Sequence, residues 1–264
     1  MIKRVHKDLK KYKKYILYSA RAELNAEVAN SYLNWIWWIL EPICFMLIYT
    51  FVFGYVFNAR EQYFPAFIFI GITIWEFFNK NITNSIKMVK NNKNIVTKVY
   101  LPKYILVLSK MFVNGFKMLI SFLIVILLMV FFRVKPTFNI FWVFAILLDL
   151  FLFTFGCMCI LMHLGVFIAD LSNVIRIVLR IMFYITGVFY SIESRVSGSY
   201  PILSQLLEKY NPLAFFITSS RHALLYNQPV DYLILVLWFI ISVALSILGI
   251  KIIYKNENSY IKVI

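Results

Sequence analysis

The side chains able to do chemistry in this sequence are few, and most of them stand where lipid should reject them. Glu41, Asp149 and His163 interrupt long apolar runs, Asp170, Arg176 and Arg180 bunch at the start of another, and Arg221 follows an Asn211-Pro212-Leu213 turn. Acids and an imidazole in an apolar medium are the material of general acid–base work, so Glu41, Asp149 and His163 could serve a membrane-embedded transferase acting on a polyprenyl-linked sugar. That chemistry calls for further acids gathered in loops at metal-ligand spacing, and the loops hold only scattered ones. Nucleotide chemistry lacks its parts altogether. There is no glycine-rich loop ending in a lysine, no paired-glycine fingerprint after a strand and no helical His pair with an acid between, and the eight glycines are scattered singly. Cys44, Cys157 and Cys159 lie in apolar runs and read as packing residues, with neither a metal nor an oxidised framework to hold. The expectation is no catalytic residue, no metal site and no cofactor in this chain, with any ATP hydrolysed by another polypeptide.

The elements that carry these residues follow from composition. Of 264 residues 62% are hydrophobic, and the mean hydropathy is +0.78, well beyond soluble globular usage. The chain reads as all-α and polytopic in a membrane. Its net charge of +15 suits nucleic acid poorly because of where the cations fall. Twenty of the 27 Lys and Arg collect on one side of the expected spans and six on the other, which puts the richer side, with both termini, in the cytoplasm against anionic lipid. Residues 1–34 form a cationic head, with Leu9, Tyr12, Ile16, Ala20 and Leu24 at helical spacing, so an amphipathic helix on the membrane surface is expected. No small-residue cleavage site follows it, so the head is expected to stay.

Six spans are expected, over residues 35–57, 64–78, 104–132, 138–167, 174–192 and 232–254. In the first, Trp35, Trp37 and Trp38 could be an interfacial belt, while Glu41, about two turns in and next to Pro42, should face protein or water. The second is short, and Ile82, Ile86 and Val89 continue its helical period into a polar stretch. Asn91 to Asn94 then offer a break and a cap ahead of a short helix, Ile95 to Leu101, stopped by Pro102. Asp149 lies deep enough in the fourth span to need a partner, for which Lys117 is a candidate, and His163 reads as a hydrogen-bonded packing residue. Beyond Arg180 only residues 181–192 are uncharged, about 18 Å of helix against a hydrocarbon core of about 30 Å. Gly187, Pro201 and Pro212 then mark breaks that survive at membrane depth only beside a cavity or within protein.

The order of these features resembles the membrane subunits of the bacterial ABC exporters that move O-antigens, capsules and teichoic acids. A loop Asp (Asp170) leads into an aromatic fifth span (residues 183–190), then two short outer helices, then Asn211-Pro212-Leu213 ahead of Arg221. The first span, LNWIWWILEPICFMLIYTFVFG, fits the family habit of a Trp, an acid or polar residue before Pro, and an aromatic run ending in Phe-Gly. Family members often carry Arg before the loop Asp, where this chain has Ala169. The resemblance implies a permease in the bacterial plasma membrane, paired with two copies of a separate ATPase that binds ATP and Mg. Six spans make half of a symmetric pathway, so a homodimer is expected.

Under that resemblance the exposed apolar stretch 91–102, with Ile95, Val99, Tyr100 and Leu101, becomes the coupling helix that docks on the ATPase. Aromatic spans suit a lipid-linked sugar chain, whose C–H faces stack on rings, which makes Trp35, Trp38, Tyr49, Phe53, Phe183, Tyr184 and Tyr190 the expected pathway lining. Residues 194–222 become two outer gate helices. Pro201 opens the first, Asn211 caps the second at Pro212, Ile202, Leu203, Leu206 and Leu207 cover one face, and Leu213, Phe215 and Phe216 plug the pore. Arg221 is then held by a carbonyl, by an acid such as Glu193, or by a cargo phosphate. Efflux of small hydrophobic molecules is the other transport reading, and a passive channel gains little from an exposed apolar helix.

Overall fold

The computed structural model describes residues 2–263 apart from 30, 31, 60, 197 and 199. Among the described residues regular structure is helical, with no strand. Within lipid a helix alone satisfies each backbone polar group from its own segment, which is why the apolar runs wind up this way. In chain order the helices are α1 (Ile2–Val28), α2 (Trp37–Tyr49), α3 (Phe64–Ile86), α4 (Met88–Asn91), α5 (Lys93–Lys98), α6 (Lys103–Phe131), α7 (Ile140–Phe167), α8 (Leu171–Ile185), α9 (Ile192–Val196), α10 (Pro201–Tyr210), α11 (Pro212–Arg221) and α12 (Tyr232–Val263). Two π-helical stretches, Thr50–Val56 after α2 and His222–Tyr226 after α11, loosen the winding.

Among the described residues four helices are long and apolar enough to cross a membrane: Trp37–Val56, Lys103–Phe131, Ile140–Phe167 and Tyr232–Tyr260. Two further segments expected to span differ from these. α3 runs unbroken for 23 residues, as its period through Ile82 and Ile86 required, but Glu76, Asn79, Lys80 and Asn81 make its second half polar. α8 stops at Ile185, seven residues short of the expected end at 192, because Thr186 closes its last turn onto Met182 and Gly187 follows at φ +71°. The head helix also ends earlier than expected, at Val28. The last helix runs on through the cationic tail to Val263.

α3 is the centre of the fold. Residues 66–75 are all buried, enclosed by α2, α6, α7, α8 and α11. Small residues let the helices approach closely. A Cβ on Gly165 of α7 would lie 2.1 Å from the carbonyl oxygen of Ile86. Along the α7–α12 seam, one on Gly156 would meet the Leu245 backbone at 2.8 Å, and one on Gly249 would meet the Cβ of Cys159 at 2.6 Å. α1 lies along the first half of α6, its polar side tied by the ion pairs Glu23–Lys110 and Glu27–Lys117. Both chain ends share one end of the bundle, where Arg4 meets Glu257 at 3.0 Å.

Candidate functional site

Arg221, the last residue of α11, is buried and reaches across to α3 and to the bend that follows α8. Its Nε donates to the Phe67 carbonyl of α3 at 3.1 Å, and its two terminal nitrogens donate to the carbonyls of Gly187 and Val188 at 2.8 and 2.7 Å. The guanidinium carbon stands 3.4 Å from the centroid of the Phe67 ring. Gly71 makes this possible, since a Cβ there would fall 2.6 Å from the arginine nitrogen and 3.1 Å from the Val188 carbonyl. Of the three partners considered for Arg221, the carbonyls hold it. Those of Gly187 and Val188 are the acceptors left free where α8 breaks, so a buried fork of donors satisfies a broken helix end while the Arg221 Nε also meets α3.

On the other side of that break an aromatic tier forms. The ring of Phe189 stacks on Phe53 at 4.6 Å and 8°, stands 4.7 Å from Tyr49 and meets Phe183 edge-on at 4.8 Å, while Trp75 of α3 closes the tier at 5.1 Å from Phe183. Three expected residues, Tyr49, Phe53 and Phe183, are thus brought together. The hub, Phe189, was missed although it lies within the aromatic run, because it follows the helix break where periodicity gives no facing. Tyr190 donates its hydroxyl to the Tyr184 carbonyl at 2.9 Å, and Tyr184 is exposed. Trp38 turns away from this tier, toward Phe116 and Lys117 of α6, and Trp35 is exposed at the head of α2. Only 6% of the residues in the first span's apolar window are buried within the chain, against 44% and 50% for α6 and α7, and one side of it, with Phe45, Leu47, Ile48 and Phe51, faces outward.

One of the intramembrane acids has another neighbour than expected. Asp149 is met by the hydroxyl of Ser242 from α12, not by Lys117, which pairs with Glu27. Glu41 lines a cleft between α2, α3 and α6 together with Glu76, Lys80, Asn114 and Lys117. His163 shares a 2.9 Å hydrogen bond with the hydroxyl of Tyr260.

At the terminal end of the bundle the expected helix Ile95 to Leu101 is replaced by α5, Lys93–Lys98. Val99 is extended (φ −129°, ψ 132°), and Leu101 is buried in the core instead of being presented. Asn92 does not cap α5; its amide donates to the Met88 carbonyl and finishes the turn before. The helix ends where it does because Tyr100 is drawn into a polar cluster. Its hydroxyl accepts from Arg4 at 2.7 Å and donates to Glu257 at 3.1 Å, and partial desolvation of the hydroxyl, then the Glu257 carboxylate, push its pKa up although the ring stays exposed. Beside it Asp8 accepts from Tyr104 at 3.2 Å and Tyr254 at 2.7 Å. α1, the α5 loop, α6 and α12 are tied in one knot. Ile95, Val99 and Tyr100 remain exposed around it.

At the far end α10 and α11 form a helical pair. Pro201 opens α10, and the Asn211 side chain accepts from Leu213 N–H at 3.2 Å and Ala214 N–H at 3.4 Å, capping α11. Leu213, Phe215 and Phe216 cannot plug a pore in this arrangement, because α11 inserts among α3, α7 and α10 and all three side chains are buried. The exposed apolar face belongs to α10, through Ile202, Leu203 and Leu206. Glu208 of α10 has its pKa raised, first by burial and then by the nearby Glu193. No group of three or more potential metal ligands occurs among the described residues.

Residues 16–225 match the model of the ABC-2 type transporter family. Two O-antigen export system permease proteins of Klebsiella pneumoniae, RfbA, are 25% and 26% identical to the chain over 243 residues, 92% of each partner. The protein of the same name from Myxococcus xanthus is 24% identical over 218 residues, 83% of each.

Proposed function

The chain belongs to the ABC-2 type transporter family, a permease of ABC transporters, and on that premise we propose that it exports a lipid-linked polysaccharide of the O-antigen, capsule or teichoic acid type. The observation that carries this reading is the aromatic tier of Tyr49, Phe53, Phe183 and Phe189 beside a first span that is almost bare within one chain. Rings of this kind offer repeated weak stacking to sugar faces without a fixed hydrogen-bond pattern, as a moving polymer needs. The bare side of α2, with Phe45, Leu47, Ile48 and Phe51 exposed, is ready to be covered by a second copy across a two-fold axis, so that the two tiers flank one path. Two ATPase subunits drive the cycle from the cytoplasmic side, docking on the exposed Ile95, Val99 and Tyr100; the cluster around Arg4 and Glu257 passes their movement to α1 and α12. Both termini and this docking face lie in the cytoplasm of a bacterial plasma membrane. α10, with Ile202, Leu203 and Leu206, closes the outer exit.

The test is export in proteoliposomes holding the permease and its ATPase. Alanine at Tyr49, Phe53 or Phe183 is expected to slow glycan export while leaving assembly with the ATPase intact. Single cysteines at Tyr49, Phe53 and Phe183, in a background without the three native ones, are expected to react with aqueous thiol reagents in at least one nucleotide state. Cysteines that never react, with export unchanged in the alanine variants, would refute the pathway.

A further inference from the structure

Resting on the exporter reading, we infer that the cleft between α3 and α8 is the loading site for the phosphate-linked end of the cargo. The cleft, of about 250 Å3, is lined on the α3 side by Trp75, Asn79 and Thr83, and on the α8 side by Arg176, Leu179, Arg180 and Phe183. Both sets recur at helical spacing, so two continuous helix faces look at each other across it.

Three features point to an anion. Arg176 and Arg180 stand one turn apart on the same face, where like charges repel. None of the ion pairs found among the described residues includes either of them; the acid closest in sequence to the α3 lining, Glu76, pairs with Lys80 at 3.1 Å on the neighbouring face. The Asn79 amide and the Thr83 hydroxyl, both open to the cleft, form no side-chain hydrogen bond among the described residues. Two guanidinium forks with an amide and a hydroxyl opposite are a set of donors matched to phosphate oxygens, which take paired N–H groups from one arginine.

What lies behind the arginines identifies the rest of the ligand. The inner wall is Trp75 against Phe183, and Phe183 is also a member of the aromatic tier. A phosphate or diphosphate held by Arg176 and Arg180 therefore places the group attached to it at the half-buried Phe183 ring, behind which Trp75 is packed. A sugar uses that wall through its C–H face, whereas the glycerol of an ordinary phospholipid has no such face. The cleft is thus suited to a lipid phosphate or diphosphate bearing a sugar, with the sugar already at the first rings of the path.

The experiment uses the full-length chain in phosphatidylcholine nanodiscs, with four probes: farnesyl diphosphate, farnesyl diphosphate carrying N-acetylglucosamine, phosphatidylglycerol and inorganic pyrophosphate. Wild type is expected to bind the sugar-bearing lipid more tightly than farnesyl diphosphate, and both more tightly than the other two. Arg176→Gln and Arg180→Gln are each expected to weaken both diphosphate lipids by about tenfold or more, the loss of a charge-assisted hydrogen bond. The paired Lys variant keeps the charge without the fork and recovers only part of the affinity. Phe183→Leu is expected to remove the advantage of the sugar and leave farnesyl diphosphate unaffected. Unchanged affinity in the glutamine variants overturns the site. Equal competition by phosphatidylglycerol shows an ordinary headgroup anchor, equal competition by pyrophosphate shows a free-anion site, and either result also overturns it. If the glutamine variants bind and export normally in proteoliposomes, the exporter reading survives without this site; if wild type moves no glycolipid, the reading beneath it fails.

Discussion

Replacing Arg221 with Met tests the brace between α11, α3 and the end of α8. Methionine keeps much of the side-chain volume but removes the donors that meet the carbonyls of Phe67, Gly187 and Val188. The Phe67 carbonyl keeps its helical partner. The other two lie past the end of α8 and are left unsatisfied in a buried place, so with about 1–3 kcal/mol for each orphaned group the loss comes to about 2–6 kcal/mol. Desolvation of the arginine itself offsets part of this, since no acid pairs with it, and about 3 kcal/mol is a central figure. Gly71→Ala attacks the same contact from the other side, because its Cβ would stand 2.6 Å from the guanidinium nitrogen. The two changes must therefore be coupled: once the arginine is gone, alanine at position 71 has only the Val188 backbone to meet. A double-mutant cycle measured by denaturant unfolding in detergent should give a coupling of about 1 kcal/mol or more, the double variant losing less than the sum. Strict additivity, or an Arg221→Met variant as stable as wild type, would refute the argument that these carbonyls depend on Arg221.

Gly165→Ala should prevent α7 from packing on the end of α3, where the added Cβ would lie 2.1 Å from a backbone oxygen, and folded yield should collapse; Gly115→Ala, whose nearest neighbour is a ring carbon at 3.9 Å, should be neutral or up to about 1 kcal/mol stabilising in the same assay. Asn211→Ala should cost about 1 kcal/mol by removing the cap of α11, whereas Asn211→Asp, which keeps the acceptor oxygen, should cost little. Because the folded chain holds Glu208 above its ordinary pKa, it binds the proton more tightly than the unfolded chain does. Stability from this group should therefore fall as pH rises from the unfolded value through the raised one, and Glu208→Gln should flatten that slope in a pH series of melting curves.

What could be read from the chain depended on range. The apolar runs 104–132 and 138–167 wind into the helices α6 and α7 almost to the residue, because a run bounded by Pro102, Arg133 and Pro136 leaves a helix few alternatives. The cap at Asn211 is equally local. The early end of α8 was not legible: residues 185–192 stay uncharged, and what stops the helix is a glycine at positive φ whose carbonyl is met by an arginine 34 positions later. Leu213 and Phe216 show a different limit. An apolar side chain on a short helix looks the same in sequence whether it faces a pore or the subunit interior, and only the insertion of α11 against α3 and α7 decides. The partner of Asp149, a serine 93 residues away on α12, carries no sequence signal at all.

The burial of α3 bears on how the protein is made. Synthesised early, this helix holds ten consecutive buried residues, yet with Glu76, Asn79, Lys80 and Asn81 it is too polar to prefer lipid by itself. Its principal neighbours, α6 and α7, are downstream and leave the ribosome later. α3 therefore has to wait, sheltered by the insertion machinery or by α2 alone, until those helices arrive to enclose it. Membrane integration of this chain is then a cooperative event set by α6 and α7. Shortening the chain before α7 should cost α3 its transmembrane placement while α2 keeps its own.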